Sequence, residues 1–174
     1  MDGSGPFPLK PIAVKTLLVL RHAKSSWADS SISDWQRPLN ERGLRDAPRV
    51  GTWLRERSMI PDVIVTSDAV RARATAEAAA MTANYSGQII VEPSLYPTRP
   101  NDVLAALSGI REDARTVLVV GHNPGLEELV QRLTGEYLDV PTAAVVHIAL
   151  PITEWKEVDA ANGASIVEIW RPRD

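Results

Sequence analysis

The alternation of apolar runs and helical segments constrains the fold of this chain more than any other feature of its sequence. Short runs of β-branched and leucine residues, typical of buried strands, occupy 16–20, 63–66, 89–91 and 116–120. Segments typical of helices follow them, at 41–58, 69–83, 101–107 and 126–133. Strands that alternate with helices form a parallel sheet covered on both faces. The sequence therefore predicts an α/β fold, a three-layer α/β/α sandwich with a mostly parallel central sheet.

Two further apolar segments, 143–150 and 164–170, lie near the end of the sequence. Their polar connection contains Asn162-Gly163, a dipeptide typical of turns between antiparallel strands. We therefore predict an antiparallel hairpin at one edge of the sheet.

Short polar residues mark the expected helix starts, because their side chains can accept hydrogen bonds from the first helical amides. The predicted N-caps are Asn40 for the first helix, Ser67 or Asp68 for the second, and Asn101 or Asp102 for the third.

The composition, 44% hydrophobic and 24% charged, is that of a globular protein. The formal net charge of −3 offers no general surface for a polyanion, so a nucleic-acid partner is not expected, although a local basic pocket is compatible with it. The absence of cysteine from the sequence excludes disulfides and thiolate nucleophiles.

Residues 1–14 are rich in glycine and proline, and we expect them to form a flexible tail before a single domain at 15–174. The sequence shows neither a signal-peptide pattern nor an apolar run of membrane-spanning length. We therefore expect a cytoplasmic protein without a membrane partner.

Residues suited to catalysis follow the predicted strands. Arg21 and His22 come directly after the first strand, Arg71 lies in the helix after the second, and His122 follows the fourth. Because the carboxyl ends of parallel strands meet at one edge of the sheet, we expect these side chains to converge. The third histidine, His147, lies within an apolar run and is interpreted as a packed strand residue.

Two imidazoles and several guanidiniums suit the handling of a phosphoryl group. Guanidinium binds phosphate oxygens bidentately, and neutral imidazole is a competent nucleophile. The sequence contains no Walker-type phosphate loop and no carboxylate cluster typical of Mg²⁺ or Zn²⁺ sites. A site held by the two histidines is the remaining metal alternative, and it lacks an obvious carboxylate ligand. We therefore expect no metal and no cofactor.

Four segments resemble motifs of the histidine phosphatase (phosphoglycerate mutase-like) superfamily. Residues 20–23 (Leu-Arg-His-Ala) resemble its Arg-His-Gly motif, and residues 37–43 resemble the segment that opens its first helix. Residues 66–76 are similar to its Ser-x-x-x-Arg-Ala-x-x-Thr-Ala segment, and residues 120–124 to its second-histidine motif. The short chain and the Arg-Pro-Leu sequence make the SixA-type phosphohistidine phosphatases the nearest branch.

The resemblance implies a role for each matched residue. His22 would be the nucleophile that carries a transient phosphoryl group, and Arg21 and Arg71 would bind the phosphoryl oxygens. His122 would donate a hydrogen bond to the same group. Arg37 matches an arginine that joins this pocket in the SixA branch.

The sequence departs from the family pattern at two places. Ala23 replaces the usual glycine, which tolerates unusual backbone angles. Many members also carry an acidic residue that protonates the leaving group. Here Glu92 and Asp102 are the carboxylates in the corresponding region, and both suit structural roles better. A missing acid favours an activated substrate such as phosphohistidine, whose leaving group needs less protonation.

The leading hypothesis is a metal-independent phosphatase that dephosphorylates phosphohistidine on a protein. A phosphatase for small phosphorylated molecules is an alternative within the same chemistry. A non-catalytic module that binds phosphoryl groups is an alternative from another class, favoured by Ala23 and the missing acid. Two tryptophans, Trp27 and Trp35, are candidates for the rim of an open site.

Overall fold

The computed structural model describes residues 14–173, whose strands and helices occur in the predicted order. The strands are β1 (Lys15–Arg21), β2 (Val63–Ser67), β3 (Ile89–Glu92), β4 (Thr116–Gly121), β5 (Val145–Leu150) and β6 (Ser165–Trp170). The α-helices are α1 (Glu41–Glu56), α2 (Val70–Thr82), α3 (Pro100–Ser108) and α4 (Gly125–Thr134). Short 3₁₀ helices occupy Asp34–Gln36, Pro93–Leu95 and Trp155–Ala160. The predicted tail at 1–14 lies outside the described residues except for Val14.

The strands form one six-stranded sheet in the order β3-β2-β4-β1-β5-β6. Strands β3, β2, β4 and β1 are parallel, whereas β5 and β6 are antiparallel to their neighbours. The predicted mostly parallel sheet with an antiparallel edge is confirmed. The connection between β5 and β6 includes the 3₁₀ helix Trp155–Ala160, so it is longer than a tight turn.

Strand β1 shows how the sheet forms two cores. Leu17 and Val19 belong to a buried cluster with residues of α3 and α4, such as Leu107 and Leu129. Leu18 and Leu20 belong to a second cluster with residues of α1 and α2. Successive side chains of a strand point to opposite faces, so the helices cover both sides of the sheet. This arrangement is the predicted three-layer sandwich.

The helix starts agree only in part with the sequence. The Asn40 side chain accepts a hydrogen bond from the Gly43 amide at 2.9 Å and caps α1 as predicted. The predicted caps of the next two helices are wrong. Ala69 is the N-cap of α2, and Ser67 is the last residue of β2. Helix α3 begins at Pro100, because proline suits the first helical position, where no amide hydrogen is needed.

No helix in the described range 14–173 combines the length and the apolar character needed to cross a membrane.

Candidate active site

The sheet register brings the two histidines of the site together. Arg21 pairs with Gly121 where β1 and β4 run side by side, so His22 and His122 follow neighbouring strand ends. Their ring centroids are 5.0 Å apart. Arg71 lies in the first turn of α2, which follows β2 on the other side of β4.

Arg71 contacts both histidines. Its Nε lies 3.4 Å from Nε2 of His22, and its Nη2 lies 3.4 Å from Nδ1 of His122. All three side chains are at least nine-tenths buried. The convergence predicted from the strand ends is therefore present for these residues.

Hydrogen bonding fixes the tautomer of His22. Its Nδ1 lies 2.7 Å from the carbonyl oxygen of Ala23, and a carbonyl can only accept, so the ring proton resides on Nδ1. Burial lowers the pKa of His22 to about 4, and the charges of Arg71 and Arg21 contribute in the same direction. The imidazole is therefore neutral at neutral pH, with the lone pair of Nε2 facing Arg71.

His122 is held on three sides. Its Nε2 lies 2.8 Å from the Ser67 hydroxyl, its amide donates to Thr98 Oγ1 at 2.9 Å, and the Tyr96 ring meets it edge-on at 5.4 Å. Burial lowers the pKa of His122 to about 3, and His22 and Arg71 add to that shift. Ser67, which the sequence suggested as a helix cap, thus contacts the second histidine of the site.

Asp34 is a site residue that the sequence did not identify. Its carboxylate accepts hydrogen bonds from Arg37 Nε at 3.0 Å, Arg71 Nη2 at 3.0 Å and the Tyr96 hydroxyl at 2.7 Å. Its carbonyl accepts another from Arg71 Nη1 at 2.7 Å. The Tyr96 hydroxyl and the two guanidiniums lower the pKa of Asp34 to about 2. Asp34 is therefore an anion that links two arginines.

Arg37 lies beside this cluster and is buried. Its Nη1 donates to Ser25 Oγ at 2.6 Å and to the carbonyl of Ser26 at 3.3 Å. Its guanidinium stacks 3.5 Å from the centroid of the Trp27 ring, which is 73% exposed. Arg37 thus reaches Arg71 through their shared partner Asp34, and Trp27 lies on its outer side.

Arg21 is held by the segment that precedes β5. Its Nη1 donates to the carbonyl of Val140 at 3.2 Å, and its buried Nε has no hydrogen-bond partner among the described residues. Burial lowers the pKa of the Arg21 guanidinium below its ordinary value, and the Glu127 carboxylate opposes that shift. An incoming anion is a suitable partner for the unpaired Nε–H.

Ala23 fits the site without a glycine. The left-handed non-glycine residues in the described chain are Ser58, Asn84 and Ala143, so Ala23 has an ordinary φ. Its amide donates to Thr75 Oγ1 at 3.0 Å, and its side chain is fully buried. The exchange of glycine for alanine therefore leaves the strand end intact.

The two carboxylates considered in the sequence have structural contacts. Glu92 accepts a hydrogen bond from the Ser94 amide at 3.2 Å and caps the 3₁₀ helix that follows. Asp102 lies in the first turn of α3, 3.8 Å from Arg99 Nη1, and is not the cap that the sequence suggested.

The site concentrates positive charge around two neutral imidazoles. Three guanidiniums belong to the site, those of Arg21, Arg37 and Arg71. The Asp34 carboxylate accepts hydrogen bonds from two of them, Arg37 and Arg71. Guanidiniums and fixed N–H donors of this kind bind oxyanions. Across residues 14–173, no group of three or more histidine, aspartate or glutamate side chains is placed to hold a metal ion.

The sequence model of one protein family, the histidine phosphatase superfamily (branch 1), matches residues 17–96 of this chain. An uncharacterised chloroplastic protein of Arabidopsis thaliana is 32% identical over 160 residues, which cover 86% of this chain and 72% of that protein. An uncharacterised protein of Mycobacterium tuberculosis (strain H37Rv) is 36% identical over 107 residues, which cover 60% of this chain and 63% of that protein.

Solved structures show the same fold. The structure described as phosphohistidine phosphatase SixA from Nakamurella multipartitia has a TM-score of 0.83 and 28% identity, over 94% of this chain and 99% of that chain. The corresponding structure from Agrobacterium tumefaciens has a TM-score of 0.77 and 25% identity, over 91% and 98%. A protein histidine phosphatase SixA complexed with tungstate has a TM-score of 0.76 and 23% identity, over 88% and 95%, a likeness of fold.

Proposed function

This chain belongs to the histidine phosphatase superfamily, in its SixA-type branch, and on that premise we propose that it removes phosphoryl groups from phosphohistidine on proteins through a phosphorylated His22. The enzyme class, a phosphatase, follows from the family. The nucleophile, the protein substrate and the independence from metal are the proposal.

The geometry of His22 carries the proposal. Because Nδ1 donates to the carbonyl of Ala23, Nε2 holds an unshared pair of electrons in the middle of the arginine cluster. In the first step this pair forms a bond to phosphorus, and the bond from phosphorus to the leaving nitrogen breaks. The leaving imidazole keeps the bonding electrons and takes a proton from solvent.

The surrounding donors suit the charge of the transferred group. Arg71 contacts both histidines, and the positive charge of Arg21 acts on both, so the N–H groups of the two guanidiniums can bind the equatorial phosphoryl oxygens. A fixed positive environment of this kind stabilises a transition state whose negative charge is spread over those oxygens. The guanidiniums supply positive charge that a metal ion supplies in other phosphatases, and this supports metal-independent turnover.

The second step returns the enzyme to its starting state. Water forms a bond to phosphorus, the bond to His22 Nε2 breaks, and the imidazole regains its electron pair. Inorganic phosphate and a proton leave. His122, whose ring centroid lies 5.0 Å from that of His22, would donate a hydrogen bond to the phosphoryl group in both steps.

The substrate class is argued from the leaving group. Asp34, the carboxylate within the cluster, has a pKa of about 2 and is a poor proton donor at neutral pH. A phosphorylated imidazole leaves more easily than an alkoxide and needs less help from an acid. The site therefore suits a phosphoramidate better than an ordinary phosphate monoester.

The test compares His22→Ala with His147→Ala, a variant of the histidine in β5. The substrates are a phosphohistidine-bearing protein, phosphoramidate, and a panel of sugar and nucleotide phosphates, each with and without EDTA. We expect His22→Ala to lose roughly a thousandfold or more in turnover. His147→Ala and wild type should both form an acid-labile ³²P-labelled enzyme. EDTA should not change the activity of either protein.

Three results would contradict this proposal. Turnover by His22→Ala near the wild-type rate would remove the nucleophile assignment. A strong preference for a sugar or nucleotide phosphate would favour a small-molecule phosphatase. Stoichiometric phosphate binding without turnover of any phosphoramidate would favour a binding module.

A further inference from the structure

Glu127 joins three parts of the chain beside the site. It lies in the first turn of α4, and its Oε1 accepts hydrogen bonds from the Val140 amide at 3.0 Å and from Asn123 Nδ2 at 2.8 Å. One carboxylate oxygen therefore ties the residue after His122 and the segment before β5 to the start of α4.

Both polar backbone atoms of Val140 are held. Its amide donates to Glu127, while its carbonyl accepts from Asn123 Nδ2 at 2.8 Å and from Arg21 Nη1 at 3.2 Å. Val140 itself is 1% exposed. The atom that orients Arg21 therefore depends on Glu127 for its own position.

The orientation of Arg21 matters for an oxyanion. The side chain of arginine loses conformational entropy when it is fixed, and a preorganised guanidinium binds its ligand more tightly because that cost is already met. The buried Nε of Arg21, unpaired among the described residues, can bind a ligand only if the guanidinium keeps this orientation.

We propose that Glu127 is a positioning residue for Arg21 and acts through the backbone of Val140. The inference rests on the proposed function only in taking Arg21 as an oxyanion ligand. The alternative explanation is charge compensation. In that case any carboxylate near Arg21 would favour oxyanion binding equally well, whether or not it bound Val140.

Two substitutions of Glu127 separate these explanations. Glu127→Gln removes the charge and keeps a side-chain oxygen in place to accept from Val140 and Asn123. Glu127→Asp keeps the charge and withdraws the acceptor by one methylene. Glu128→Asp is the matched control, because Glu128 is an exposed carboxylate in the same first turn of α4.

The measurement is the dissociation constant for tungstate by calorimetry, with thermal unfolding to confirm that each variant folds. Loss of one oriented charged contact is worth about tenfold in binding, so we expect Glu127→Asp to bind tungstate about tenfold more weakly. Glu127→Gln and Glu128→Asp should stay within about twofold of wild type. In an Arg21→Gln background the effect of Glu127→Asp should disappear.

Other outcomes overturn the inference. Weaker binding by Glu127→Gln together with normal binding by Glu127→Asp would assign the effect to charge. An unchanged tenfold loss in the Arg21→Gln background would show that Glu127 does not act through Arg21. Absence of tungstate binding by wild type would overturn the inference together with the oxyanion site. Tungstate binding without phosphatase turnover would overturn the proposed function alone.

Discussion

Asp34 binds Arg71 twice, through its carboxylate at 3.0 Å and through its carbonyl at 2.7 Å. The carboxylate also binds Arg37, so the loop after β1 and the start of α2 share one anion. Burying or crowding guanidiniums without a partner is costly. Asp34 therefore allows two arginines to lie together beside the histidines in a defined orientation.

Removal of the Asp34 carboxylate should weaken catalysis. Asp34→Ala leaves Arg71 and Arg37 without their shared ligand, and we expect kcat/KM for phosphoramidate to fall about tenfold, the usual effect of losing a charged hydrogen bond. Asp29→Ala is the control, because Asp29 is an exposed carboxylate of the same loop that binds Ser31. Faster turnover by Asp34→Ala would instead mean that Asp34 competes with the phosphoryl group.

The pH dependence of the unfolding free energy should report His22 together with His122, because burial lowers the pKa of both. The pKa of His22, about 4 in the folded protein, lies below the ordinary value of 6.5. Between these values the unfolded chain binds a proton that the folded protein does not, so the unfolding free energy falls as the pH falls from 6.5 to about 4. Urea unfolding at several pH values should show a smaller slope for His22→Gln. If the dependence of the unfolding free energy on pH were unchanged in His22→Gln, groups other than His22 would account for it.

The hydrogen bond of His22 Nδ1 predicts an NMR observation. His22 should carry its proton on Nδ1 at neutral pH, because Nδ1 donates to the Ala23 carbonyl. Correlation of the ring nitrogens and carbon-bound protons distinguishes the two tautomers. A proton on Nε2 would leave no lone pair to attack phosphorus and would contradict the nucleophile assignment.

Ser67 should affect activity through His122. Arg71 Nη2 can only donate and lies 3.4 Å from His122 Nδ1, so in the structure the Nε2–H of His122 donates to the Ser67 hydroxyl at 2.8 Å. For His122 to donate from Nδ1 to the phosphoryl group, the ring must take its other tautomer, in which the Ser67 hydroxyl donates to Nε2. Ser67→Ala removes this orientation, and we expect kcat to fall about tenfold. Ser108→Ala, which removes a hydroxyl bonded within α3, should leave kcat unchanged. Equal activity of the two variants would show that Ser67 does not orient His122.

Gly43 should be required for the contact between α1 and the loop after β1. A Cβ at Gly43 would lie 2.1 Å from the Lys24 carbonyl oxygen, so Gly43→Ala should lower the unfolding free energy. Overpacking of this kind costs about 1–3 kcal/mol. Gly109→Ala, whose Cβ would meet its nearest atom at 3.7 Å, should be close to neutral. Similar unfolding free energies for both variants would contradict this explanation.

The sequence was a good guide to residues that follow strands. The position of His22 after β1, of Arg71 after β2 and of His122 after β4 follows from chain order, because parallel strands bring their carboxyl ends together. The fold class was predictable for the same reason. These features depend on local patterns and on one general rule of sheet topology.

Contacts between distant loops were not predictable in this way. Asp34 meets Tyr96, which is 62 residues away, and no local pattern connects them. The spacing of Asp34 three residues before Arg37 was an available signal, since such pairs often interact. Ser67 was assigned as a cap from residue type alone, but β2 extends through Ser67 and its hydroxyl faces His122.

The place of β1 within the sheet affects how this protein loses activity. Strand β1 lies between β4 and β5 and delivers Arg21 and His22 from its end. Central strands exchange their amide hydrogens only through the largest opening events, whereas loops open locally and often. The His22 amide donates to the Gly121 carbonyl of β4 at 3.1 Å, so His22 is tied to the sheet just beyond the end of β1. Fluctuations of the loop at 26–39 can therefore release Asp34 and Arg37 while His22 keeps its place, and displacement of the nucleophile requires opening of the central strands.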